Sequence, residues 1–112
     1  MSASVNKVQL IGNLGSTPEI RLTQSQKKVA VVSLATTRSF RNDRDQRIEE
    51  TEWHRVTFFG RLAEIVEQYT ATGSQIYVEG RLKTDSWQDK DGITRYSTQI
   101  IADSLLLLGK VR

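Results

Sequence analysis

The chain has 112 residues, 38% of them apolar and 26% charged, with 16 basic against 13 acidic side chains for a net charge of +3. This size and balance describe one globular domain with a modest core and exclude a disordered chain, while the mild basic excess is compatible with a polyanionic partner. The absence of cysteine and the single histidine exclude a disulfide framework, thiolate chemistry and a Cys/His metal cluster, so neither a cofactor nor a metal is expected.

Met1-Ser2-Ala3-Ser4 has no basic n-region, and no apolar run approaches ~20 residues, so a cytoplasmic protein with no membrane partner is expected. Val5 to Ile11 alternates as a half-buried strand, ended or bent by Gly12-Asn13-Leu14-Gly15. Two glycines so close allow positive φ, a bulge or a close backbone approach. Thr17-Pro18 marks a turn, Glu19 to Thr23 is extended, and Gln24 to Lys27 is a hairpin tip. Lys28 to Thr36, apolar on both faces, predicts a central strand covered on both sides. Thr37 to Glu50 is polar, with turn chemistry at Asn42-Asp43-Arg44-Asp45, and reads as a long hairpin arm.

Thr51 to Gly60 is the stretch around which the chain is organised. Strand alternation puts Trp53, Arg55 and Phe59 on one face, and His54, Val56 and Phe58 on the other. Gly60 to Gly73 is the one helix, with Leu62, Ile65, Val66 and Tyr69 as its apolar stripe and Gly73 as its C-terminal cap. Gln75 to Leu82 is a strand with Ile76, Val78, Gly80 and Leu82 inward, and Asp89-Lys90-Asp91-Gly92 turns a second arm that carries Trp87. Thr94 to Ile101 returns, Leu105 to Leu108 closes the domain, and Gly109 to Arg112 trails off. Taking 5–11 and 19–23 as one bent strand, the order is all-β with one helix, that of the oligonucleotide/oligosaccharide-binding fold (OB-fold), a five-stranded Greek-key β-barrel, here with long hairpin arms.

An enzyme needs convergent reactive groups, and this sequence offers few, so no catalytic residue is expected. His54 reads as a packed or interface histidine. The Asp43 and Asp89 turns lack the spacing of a calcium loop, and Gly12-Asn13-Leu14-Gly15 is neither a phosphate loop nor a dinucleotide fingerprint. Phe40, Trp53, Phe59 and Trp87 sit in polar surroundings, with Arg38, Arg41, Arg44, Arg55, Arg61, Lys83 and Arg95 nearby. One exposed aromatic would cap a barrel or meet a protein. Four among basic residues favour stacked bases and neutralised phosphates on a single strand. Tyr69 reads as core, Tyr77 as sheet surface or interface, and Arg44 and Arg47 as a solvated arm.

These residues resemble a family. Asn6-Lys7-Val8 with Gly12-Asn13-Leu14-Gly15, Thr51-Glu52-Trp53-His54-Arg55-Val56, Phe59-Gly60-Arg61-Leu62-Ala63-Glu64 and Gly73-Ser74-Gln75-Ile76-Tyr77-Val78-Glu79-Gly80 look like the DNA-binding domain of bacterial single-stranded DNA-binding proteins. The resemblance runs from about Val5 to Gly109. It implies a single-stranded DNA-binding domain over residues 1–109, with 110–112 a C-terminal stub lacking an acidic tail. It further implies sequence-independent binding and protection of single-stranded DNA in replication, recombination and repair, by a homotetramer associated with the nucleoid. The stacking residues would be Phe40, Trp53, Phe59 and Trp87. Phosphate contacts are expected from Arg55, Arg61, Arg41, Lys83 and Arg95, with Lys7 and Arg21 added, and oligomer contacts from His54 and Tyr77. Replication and repair proteins are partners only if a tail exists beyond Arg112. Phe40 stands where tryptophan is common, and Asp85-Ser86 where basic residues often precede Trp87, which implies weaker phosphate binding. The alternative is a dimeric primosomal adaptor of the same barrel type.

Overall fold

The computed structural model describes residues 3–110. Met1, Ser2, Val111 and Arg112, and with them most of the expected stub, lie outside the described residues. The chain forms β1 (Val8–Leu14), β2 (Glu19–Leu22), β3 (Lys28–Arg41), β4 (Arg47–Phe59), α1 (Arg61–Tyr69), β5 (Ser74–Gln88) and β6 (Thr94–Lys110). β1 and β2 both pair with β3, as two halves of one bent strand. The remaining pairings, β3 with β4, β4 with β6, β6 with β5 and β5 with β1, close a five-stranded barrel. All are antiparallel except β4–β6, which is parallel and spans only Val56↔Ile100 and Thr57↔Ile101.

The core is the set that alternation turns inward: Ala30, Val32 and Leu34 from β3, Val56 and Phe58 from β4, Ile76 and Val78 from β5, Ile100 and Ala102 from β6. Ala63 and Val66 of α1 close one end. Two glycines in this barrel answer the need for close approach. A Cβ on Gly12 would lie 2.4 Å from the Ala35 carbonyl oxygen, and one on Gly80 2.1 Å from that of Ile101. Only glycine lets those backbones meet so tightly.

Two arms leave the barrel. The β3–β4 ladder continues unbroken to Arg41↔Arg47, and the β5–β6 ladder to Gln88↔Thr94. Their tips share one design. Asn42 Oδ1 accepts from the Arg44 and Gln46 amides at 2.9 and 3.0 Å, and Asp89 Oδ1 from those of Asp91 and Ile93 at the same distances. The fourth tip residue has positive φ, 60° at Asp45 and 78° at Gly92. This is a three-residue hairpin loop whose last residue is left-handed.

Several expectations are corrected. Val5 lies outside β1 and is exposed. β3 is covered on one face only: Val29, Val31 and Ala35 are half-buried and Ser33 exposed. The helix is shorter than 60–73, and its last backbone bond runs from the Thr70 amide to the Val66 carbonyl. Gly73 is not its cap. It has φ 90° in the turn before β5, and its amide donates to the Leu14 carbonyl at 2.8 Å. Tyr69 is 66% exposed rather than core, because α1 covers the barrel with its first two turns only. Leu82 keeps its inward direction but is half exposed, since it lies beyond the last β1–β5 pair, Val8↔Gly80, at the rim of the barrel. Gly109 and Lys110 do not trail off: they pair with Gln75 and Ser74.

Candidate nucleic-acid interface

Directly paired residues of neighbouring strands point to the same side of a sheet. The register therefore sorts the candidate residues by face. On β3–β4, the rows Val29↔Phe59, Val31↔Thr57, Ser33↔Arg55 and Ala35↔Trp53 look outward, opposite the core rows Val32↔Val56 and Leu34↔His54. β2 extends two of the outward rows, with Arg21 beside Val29 and Glu19 beside Val31. On the other side of β4, Thr57 pairs with Ile101, which pairs with Arg81. The same outward face then runs along the second arm through Lys83↔Gln99, Asp85↔Ser97 and Trp87↔Arg95.

Trp53, Arg55, Phe59, Lys83, Trp87, Arg95, Arg41 and Arg21 thus share the outer surface of the barrel and its arms. Trp53, Phe59 and Trp87 are 59%, 47% and 50% exposed, large apolar rings facing solvent. Trp53, His54 and Arg55 separate two grooves. One, of about 450 Å³, is walled by Ser16 and Thr17 of the β1–β2 turn, Glu19 of β2 and Ser33 of β3. The other, of about 130 Å³, is walled by Leu82 of β5 and Thr98 and Gln99 of β6. Gly15 sets the place of Trp53. A Cβ there would lie 2.3 Å from the indole Cζ3, so the ring rests on bare backbone.

Phe40 is not on this face. It pairs with Ile48 on the opposite side of its ribbon, half-buried, with the Arg38 guanidinium 4.4 Å from its ring centroid. Arg61 begins α1, two residues after Phe59, with Glu64 of the same helix 3.8 Å away, and Lys7 lies toward β5 against Glu79 at 3.4 Å.

Six of the seven expected phosphate ligands already have a carboxylate partner within the chain. Arg21 pairs with Glu19, Lys7 with Glu79, Arg41 with Asp45 at 3.3 Å, Arg61 with Glu64 at 3.8 Å, Lys83 with Asp85 at 2.8 Å and Arg95 with Asp89 at 3.0 Å. Among the described residues, no carboxylate pairs with Arg55 or Arg81. Arg81 is a functional candidate that the sequence reading missed, although Arg81, Lys83, Asp85 and Trp87 alternate in the sequence as visibly as Trp53, Arg55 and Phe59. For Gly15 the sequence signals only that a close approach is allowed, and not that Trp53 is what approaches.

His54 shares a 2.8 Å hydrogen bond with Thr36 on the inward side of β4. Tyr77 lies on another wall of the barrel, in the outward row Ile11↔Tyr77↔Leu106. Its hydroxyl donates to Glu79 and accepts from Gln9 Nε2 at 3.1 Å. The Glu79 bond raises the Tyr77 hydroxyl above its ordinary pKa and lowers that of Glu79. Ile11 and Leu106 beside it are exposed apolar residues. Among the described residues, no helix is long and apolar enough to cross a membrane.

A model of the single-strand binding protein family matches residues 5–108. Single-stranded DNA-binding protein 1 of Xylella fastidiosa (strain 9a5c) is 52% identical over 109 residues, covering 96% of this chain and 80% of that protein. Single-stranded DNA-binding protein of Xanthomonas axonopodis pv. citri (strain 306) is 50% identical over 110 residues, 97% of this chain and 61% of that protein. A Plasmodium falciparum SSB in complex with ssDNA superposes with a TM-score of 0.88 at 30% identity, over 96% of this chain and 98% of that one. A deletion mutant of the Thermus aquaticus single-stranded DNA binding protein gives 0.80 at 34% identity, over 93% of this chain and 50% of that one.

Proposed function

The chain belongs to the single-strand binding protein family, and from that membership we propose that it binds single-stranded DNA without sequence preference, in replication, recombination and repair. The observation that carries the proposal is the continuous outer face on which Trp53, Arg55, Phe59 and Trp87 are exposed together. Bases stack on the three rings, and Arg55 with Arg81 neutralises the intervening phosphates. Lys83, Arg95, Arg41 and Arg21 contribute once their carboxylates are displaced, and Arg61 and Lys7 serve the strand's path around the barrel. Phe40 takes part only where the strand wraps the edge of its ribbon, with Arg38 swung aside. The dimeric primosomal adaptor is set aside, because the relatives carry the name single-stranded DNA-binding protein. The work is binding, with no bond made or broken.

Assembly as a homotetramer is part of the same proposal. The exposed Ile11 and Leu106 around Tyr77 support it as a subunit contact, and His54 is its second contact. Titration with oligo(dT) at ~50 mM salt is expected to quench tryptophan fluorescence, with weaker binding as salt rises, in a particle of tetramer mass by light scattering. No quenching at low salt would overturn the DNA-binding reading.

A further inference from the structure

Asp85 occupies a singular position on the outer face. Its Oδ1 accepts from Lys83 Nζ at 2.8 Å and its Oδ2 from Gln99 Nε2 at 3.2 Å. Gln99 in turn accepts from Thr57 Oγ1 at 2.5 Å. A relay Thr57–Gln99–Asp85–Lys83 therefore crosses β4, β6 and β5, between the Trp53–Arg55 rows and Trp87. Asp89, the other acid on this arm, is bound to the fold: one of its oxygens builds the hairpin tip while the other holds Arg95. Asp85 makes neither of its hydrogen bonds to backbone. It is exposed, and its partners are the side chains a passing phosphate would use.

We propose that Asp85 is an intramolecular rival of the DNA phosphate, a positioning residue that holds Lys83 and Gln99 in readiness and lowers the affinity of the second arm for the strand. The proposal rests on the single-stranded DNA reading above. A phosphate that reaches Lys83 must displace a carboxylate already at hydrogen-bond distance, and the displaced charge stays on the same strand two residues from Trp87. Like charges a few ångströms apart repel even at the high dielectric of a surface. Release of Lys83 from Asp85 thus offsets much of what its contact with phosphate contributes. In the free chain the bond from Lys83, and then that from Gln99, hold the Asp85 carboxyl below its ordinary pKa.

The test is oligo(dT) titration of the full chain carrying Asp85→Asn, with Asp85→Ser as a second variant on the same exposed strand. Asp43→Asn, at the tip of the other arm, is the control for one unit of charge. Asp85→Asn is expected to bind about 3- to 10-fold more tightly at ~50 mM salt, and log K to fall more steeply with log salt, by up to ~0.7. Asp43→Asn is expected to change affinity less than about 2-fold, because a distant exposed charge is screened. Lys83→Gln is expected to weaken binding more in the Asp85→Asn background than alone, a coupling that simple loss of structure does not produce. Unchanged or weaker binding by both Asp85 variants, a gain no larger than that of Asp43→Asn, or equal Lys83→Gln effects in the two backgrounds would overturn the proposal. Failure of the unsubstituted chain to bind oligo(dT) would overturn the DNA-binding reading, and this proposal with it.

Discussion

Trp53 is positioned by an absence. Its indole rests where Gly15 has no Cβ, so Gly15→Ala sets a methyl 2.3 Å from Cζ3 and turns the ring off the β1–β2 turn. The barrel core lies on the other side of β4, so stability should change little while both the emission of Trp53 and the affinity for oligo(dT) change. Trp53→Ala is expected to cost about 1–3 kcal/mol of binding, the range for one stacked base, and Gly15→Ala a smaller part of it. Titrations of the two variants beside the parent check the order. At this scale the sequence was partly legible. Alternation alone put Trp53, Arg55 and Phe59 together, because a strand has period two. The contact with Gly15 was invisible, because it joins residues brought near only by barrel closure. The placement of Phe40 on the opposite face from Trp53 was not legible. Its polar neighbours argued for exposure, but the unbroken register to Ile48 puts it on the other face.

The arms show that elements are legible where short-range chemistry dictates them. Asn42 and Asp89, each followed by a residue tolerant of positive φ, marked both hairpin tips. The structure adds that each side chain bonds two amides of its own loop. Asp89 therefore has a definite response to pH. Backbone donation from Ile93, and then the bond from Arg95, hold its carboxyl below the ordinary 3.8. A carboxyl with a lowered folded pKa contributes stability that is present above the unfolded value and lost as pH falls through the folded one. The second arm should therefore stay ordered near neutrality and fray at its tip below about pH 3.8. Amide signals of Asp91 and Ile93 in an acid titration by NMR check this. Persistence of both signals in Asp89→Ala at neutral pH would contradict it. The helix was less legible, because its apolar stripe continues to Tyr69 although the barrel end needs cover only from Ala63 and Val66.

At the scale of the molecule, element order disclosed the barrel, because only a few topologies place a single helix between the third and fourth of five strands. The means of closure stayed hidden. Gly12 reads as one of two glycines that allow a bulge or a close approach and Gly80 as an inward strand position, and neither reading says which backbones they let come nearest. The β4–β6 joint read as nothing at all, since it consists of two register pairs between strands far apart in sequence. That joint has a dynamic consequence. With β1 and β2 counted as one bent partner of β3, this is the shortest ladder of the barrel, where opening starts, and its outward pair, the buried Thr57 and Ile101, lies beneath the surface between Arg55 and Lys83. A DNA strand lying there would act as a clasp across the molecule's weakest hinge. Opening and release then become one event, and occupancy stabilises the closed form by mass action. At a hundred-fold excess of oligo(dT) over its Kd, native-state hydrogen exchange at Val56, Thr57, Ile100 and Ile101 is expected to slow by about 100-fold, and at the amides of α1 by less.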